Sequence, residues 1–294
     1  MDSKRFCDQS VKSMSVLKNL FLLSVGTILM SNASASPYSF GVKTSGHGKP
    51  MILIPALASG GNVWDGTVAH YRQCYRCYVL TLPGFAGQRA VKWPILRNVR
   101  DQIVQLMADK GMKGATVVGD RLGGTLALWV AATRPQSVEK VISIDGMPWM
   151  AGYLQGHAMD HGDEAISEIC KKSGPKFIEE VRQVLNPDIV PTGKYADVRK
   201  QIRRSDPSEV GEALSELYKT DLRPDMKRMK CRVLFVIAGH NYELSETRSL
   251  VAHYVQRFID VVPNSEMEII RNSDGFAMLD DPEEFLFATD PFLK

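Results

Sequence analysis

The sequence has little that would carry it into a membrane or onto nucleic acid. The apolar run Leu20–Met30 falls short of the roughly 20 residues that a membrane-crossing helix needs. Neither sign of charge dominates. The balance of 36 Lys and Arg against 33 Asp and Glu leaves a net +3, far from the basic excess of a nucleic-acid-binding chain. The densest basic run, RKQIRR at 199–204, lies in a helix-like stretch with acidic neighbours and reads as a solvated helix face. No internal repeat or low-complexity tract is apparent, which excludes solenoids and arrays. Cysteine is scarce, with five in 294 residues. Cys74 and Cys77 form a C-x-x-C, but no second ligand pair has matching spacing, so no metal and no cofactor is expected. A bridge between Cys74 and Cys77 stays open at this level.

What is present begins with apolar material, 44% of the chain, enough for one sizeable core. At the N-terminus, Lys4, Arg5, Lys12 and Lys18 precede Leu20–Met30, and the triplet Ala33-Ser34-Ala35 follows. A basic region, a short apolar core and an A-x-A site describe a secretory signal peptide. Residues 1–35 are therefore expected to be removed, leaving an exported, periplasmic or secreted chain with no stable membrane span. Cleavage would leave four cysteines, an even number that permits disulfides in an oxidising compartment. The oligomeric state is not legible.

Along the rest of the chain, short β-branched runs alternate with helix-length segments. Strands are expected in PMILIPAL (50–57), CYVLTLPG (77–84), GATVVGD (114–120), KVISIDG (140–146), CRVLFVIAG (231–239) and EMEIIRN (266–272). Helices are expected at 62–74, 98–111, 123–135 and about 245–260, and from about 281. Continuous apolar strands separated by helices predict an α/β fold, a mostly parallel, doubly wound sheet covered on both faces. Between 147 and 227 the sequence is helical and charged without a convincing strand. That stretch reads as a helical cap inserted into a core formed by 36–146 and 228–294.

The stretch VVGDRLGGTLALWVA (117–131) is a strand, a glycine-rich turn and an apolar helix. Gly119, Leu122, Gly123 and Gly124 match G-x-S-L-G-G, the nucleophile elbow, everywhere except at the displayed residue, which is Arg121. With MILIPALASGGNVWDGTVAHY, YVLTLPGFAGQ, VISIDGMPW and NSDGFAMLDDPEEF in matching order, residues 49–292 resemble bacterial α/β hydrolases of the esterase and lipase-like type. The resemblance implies the α/β-hydrolase fold with a helical cap, and it locates the positions of a Ser-His-acid triad. The serine position is Arg121, and the histidine position, just before Phe276, is Gly275. The acid position falls near Asn241, and the oxyanion loop carries Ala56 where a glycine is usual.

Acyl transfer by that route needs an attacking oxygen or sulfur and a base, and losing either costs roughly a millionfold in turnover. A guanidinium is neither. The expectation is therefore a non-catalytic protein, a pseudoenzyme holding a small molecule under the cap. The alternative is an exported carboxylic-ester hydrolase that uses other residues, with His240 and Asp120 as candidate substitutes. Asp120, however, lies one residue before the displayed position, so its side chain should point away from the reactive spot. Ala56, Leu57, Arg121, Leu122, Trp149, Asp274 and Phe276 are the expected ligand-binding residues, and an Arg121–Asp274 ion pair is expected to fill the space of the triad.

Overall fold

The β-branched runs become one seven-stranded sheet in the computed structural model, which describes residues 37–91, 94–152, 195–239, 255–273 and 275–294. The strands are β1 (Gly41–Ser45), β2 (Lys49–Ile54), β3 (Tyr75–Thr81), β4 (Ala115–Asp120), β5 (Val138–Ile144), β6 (Arg232–Ala238) and β7 (Ser265–Ile270). Their order is β1-β3-β2-β4-β5-β6-β7. All pairs are parallel except β1 with β3, which is antiparallel with Gly41 opposite Thr81. β1 is the strand the sequence does not announce. GVKTS is half-exposed, and as an edge strand it needs neither an apolar run nor strict alternation.

Alternate residues along each central strand feed opposite apolar layers. On β2, Ile52 and Ile54 join the layer containing Phe85, Ile103 and Phe235, while Met51 and Leu53 join the one containing Trp64, Ile142 and Phe285. Helices cover both faces. They include α1 (Asp65–Tyr71), α2 (Leu96–Asp109), α3 (Leu122–Thr133), α4 (Ala196–Arg204), α5 (Pro207–Lys219), α6 (Arg223–Met226), α7 (Ala277–Asp280) and α8 (Pro282–Leu293). α3 has no polar face: Leu122 through Ala132 are all buried, because the helix lies across β4 and β5 beneath other elements.

Helices α4–α6 belong to the segment between β5 and β6, and α4 crosses the loops at the carboxyl edge of the sheet. The backbone N–H of Gly60 donates to Gln201 Oε1. Ser205 Oγ accepts from Ala86 N–H at 2.8 Å and lies 3.0 Å from Ala58 O. The basic run RKQIRR is therefore only partly a solvated face: Lys200, Arg203 and Arg204 are exposed, but Gln201 is buried against the core. No helix among the described residues is long and apolar enough to cross a membrane. Cys77 and Cys231 are free, buried thiols, and burial pushes each up to about 11. Cys74 is disulfide-bonded, so its partner is not Cys77 and lies outside the described residues.

Candidate active site

Backbone strain marks the working edge. Five non-glycine residues among those described have positive φ, and four of them follow the carboxyl ends of successive strands: Ala58, Ala86, Arg121 and Asp145. Such conformations cost about 1–3 kcal/mol each and collect at functional sites, and open α/β sheets bind ligands at this edge.

Arg121 sits on the elbow with φ 48° and ψ −104°. Its N–H donates to Ile144 O at 2.6 Å, and its carbonyl accepts from Thr125 N–H at 3.0 Å, which starts α3. The turn is this sharp only because the neighbouring residues are glycines. A Cβ on Gly119 would lie 2.0 Å from Gly123 O, and one on Gly123 would lie 2.3 Å from Ile54 O. The same close approach brings the loop after β2, with Ala56 and Leu57, against the elbow. Among the described residues, the N–H groups of Leu57 and Leu122 have no acceptor.

The Arg121 side chain is 39% exposed and held on three sides. Nη2 donates to Gly275 O at 2.6 Å, Nε lies 3.4 Å from Asp120 Oδ1, and the guanidinium stands 4.3 Å over the Phe276 ring. Gly275 has φ 126°, and a Cβ there would come within 3.1 Å of Arg121 Nη2. One steric cause therefore links the two changes from the triad pattern: the arginine occupies the space that a side chain at 275 would enter. Gly275→Ala should cost about 2–4 kcal/mol through its backbone angle and this crowding. Adding Arg121→Ser should recover about 1 kcal/mol of it. Urea denaturation of the two single variants and the double variant measures the coupling, and strictly additive costs would contradict the steric link.

Carboxylates surround the cation. Asp120 is fully buried, and burial pushes it up to about 7 in spite of Arg121, with Asp145 and Asp280 adding repulsion. Its Oδ2 has no hydrogen-bond partner among the described residues. A fully buried carboxylate just before the elbow cannot attack a bound substrate directly, as its position in the sequence implied. Asp145 follows β5 with φ 47° and is only partly buried. Its Oδ1 accepts from Ala238 N–H at 3.0 Å, and desolvation pushes it up to about 6 against the pull of that bond and of Arg121. Asp280 accepts from Tyr195 Oη, from Ser273 Oγ at 3.0 Å and from Phe276 N–H at 3.1 Å. It thereby ties α7 and the residue before α4 to the turn carrying Gly275.

Asp120, Arg121, Gly275 and Phe276 are thus gathered at one place, with Leu57 and Leu122 bordering it. Trp149 is elsewhere engaged: Arg223 stacks 3.7 Å over its ring. His240, Asn241 and Asp274, and with them the expected Arg121–Asp274 pair, lie outside the described residues. Within those residues the carboxylate that meets Arg121 is Asp120. Asp145, Asp280 and Tyr195 were not picked out from the sequence. Asp145 had a signal, a carboxylate ending the buried run VISI one step past the residue paired with Asp120. Among the described residues no cluster of His, Cys, Asp and Glu is arranged to hold a metal.

A family model described as alpha/beta hydrolase fold matches residues 49–183. The pimeloyl-(acyl-carrier protein) methyl ester esterase of Nitrosomonas europaea is 22% identical over 262 residues, covering 86% of this chain and 98% of that protein. Its namesake in Photobacterium profundum is 24% identical over 264 residues, covering 86% and 97%. Among solved structures, an esterase from Exiguobacterium antarcticum superposes with a TM-score of 0.70 at 13% identity, over 86% of this chain and 95% of that one. MenH from S. aureus gives 0.62 at 16% identity, over 86% and 96%.

These likenesses correct the expectation of a non-catalytic protein. That expectation equated the loss of two triad positions with the loss of all chemistry. The relatives matched over nearly their whole length are named as ester hydrolases, and they point to an active hydrolase. The chain has the α/β-hydrolase fold, and its residues 49–183 match the model of that family.

Proposed function

We propose that the protein is a carboxylic-ester hydrolase in which Arg121 stabilises developing negative charge and Asp145 handles the proton. The observation that carries this reading is the placement of a partly exposed guanidinium on a strained elbow beside a carboxylate raised to about 6. A base near neutrality is ionised at physiological pH and still basic enough to accept a proton. Asp145 Oδ1 is held by Ala238 N–H, which leaves Oδ2 to orient a water.

In this scheme water attacks the ester carbonyl carbon and passes one proton to Asp145. The carbonyl electrons move onto oxygen, where Arg121 and the N–H groups of Leu57 and Leu122 stabilise them. When the tetrahedral species collapses, the C–O bond to the alcohol breaks, and Asp145 returns the proton to the departing oxygen. Products are an acid and an alcohol, and no covalent enzyme intermediate forms. Asp120 acts on Arg121 rather than on substrate, fixing Nε from below. The methyl ester named in those relatives supports acyl methyl esters as the class to test first.

Purified protein incubated with a short acyl methyl ester should release acid in a saturable manner, above a heat-denatured control. Absence of saturable release from methyl and activated aryl esters alike would reject the proposal. Export of the chain is proposed with it. The signal-like residues 1–35 support export.

A further inference from the structure

A cleft with a volume of about 440 Å³ opens between α4 and the loops after β2 and β3. Asn62, Gly87, Asp197, Lys200, Gln201 and Arg204 are among the residues that line it, and neither Arg121 nor any of the raised aspartates does. We propose that this cleft binds an anionic oxygen group, a carboxylate or a phosphate, through Arg204 and Gln201.

Gln201 is the first ground. It is 6% exposed, and its Oε1 accepts from the backbone N–H of Gly60. That bond fixes the orientation of the amide, because an N–H must meet an acceptor. The Nε2 end is thereby a donor, and although buried it has no partner among the described residues. A buried donor without an acceptor is unfavourable and needs an explanation, and an anion in the cleft supplies one.

Arg204 is the second ground. Its guanidinium has no carboxylate partner among the described residues, and it lies across the backbone at Gly87. A Cβ at Gly87 would come within 2.6 Å of Arg204 Nη2, and the residue's φ of 85° suits glycine. The bare backbone at this point lets the fork settle at the cleft wall. The one lining carboxylate among the described residues, Asp197, is already paired with Lys200 at 2.9 Å. What remains is the positive charge of Arg204, whose planar donors match two oxygens of a carboxylate or phosphate.

This inference does not depend on ester turnover, and its test reads binding alone. The full chain is titrated calorimetrically at low ionic strength with inorganic phosphate and, separately, with glutarate. Saturable binding of at least one is expected, and the anion that saturates identifies the source of the oxygens. Arg204→Ala should weaken it at least tenfold. Gln201→Glu should do the same, because Glu keeps the acceptor for Gly60 N–H but replaces the donor with a second negative oxygen. Arg121→Ala should leave it unchanged. Two results overturn the proposal: no saturation by either anion, or an affinity that survives Arg204→Ala and disappears in Arg121→Ala. Arg204 is exposed, so its variant should fold, and hydrolysis of an uncharged ester by Arg204→Ala should match wild type.

Discussion

Asp145→Asn is expected to lower kcat/KM for ester hydrolysis by about 10²–10⁴-fold, the range by which a positioned general base accelerates proton transfer. The substitution isolates the proton-handling role. Asparagine keeps an acceptor oxygen for Ala238 N–H, and it tolerates the positive φ of 47° better than most residues. Folding should therefore survive while basicity is lost. Burial already penalises the ionised aspartate, so the variant should be at least as stable as wild type at neutral pH. A drop in turnover accompanied by an equal loss of folded protein would indicate a structural role instead. A fall in kcat with unchanged stability is the signature of the chemical role.

Asp120→Asn should act on stability in a pH-dependent way. The sign follows from linkage. In the folded state burial raises Asp120 to about 7, so the folded protein holds this proton more tightly than the unfolded chain, where an aspartate sits near 3.9. The contribution of the protonated group is complete below the unfolded value and is lost as pH rises through about 7. The interval corresponds to at most about 4 kcal/mol. Urea unfolding should find the variant close to wild type at pH 4 and more stable at pH 8, by up to that amount. The weak contact with Arg121 Nε at 3.4 Å offsets only part of the gain. A variant less stable than wild type at pH 8 would mean that the Arg121–Asp120 attraction outweighs desolvation.

Much of the scaffold was legible because its causes are local. β2, β4, β5 and β6 are buried on both faces, so their residues form continuous apolar runs that can be read without a partner. The elbow was legible for a different reason. Gly119 and Gly123 leave no room for side chains, so close backbone packing imprints itself on the sequence. β1 was not legible, because an edge strand depends on its neighbour β3 more than on its own composition.

The site was half legible. Arg121 and Gly275 stood out as departures from a pattern, but the sequence does not state that one fills the space left by the other. That complementarity is tertiary, as is the ring of carboxylates. Asp120, Asp145 and Asp280 are far apart in the chain and meet only because β4 and β5 are neighbours and α7 folds back over their ends. The triad positions therefore show what is missing and not what stands beside it. Gln201 was obscured for a related reason, since it lies within a basic run in which Lys200, Arg203 and Arg204 are exposed.

The most direct test of an arginine-and-carboxylate hydrolase is the pH dependence of kcat/KM for an uncharged methyl ester. Wild type should show turnover that rises with pH, has its midpoint near 6 where Asp145 ionises, and levels off above. Arg121→Ala should lower the plateau without moving the midpoint far. A profile flat from pH 5 to 8, or turnover that survives both Arg121→Ala and Asp145→Asn, would contradict the account.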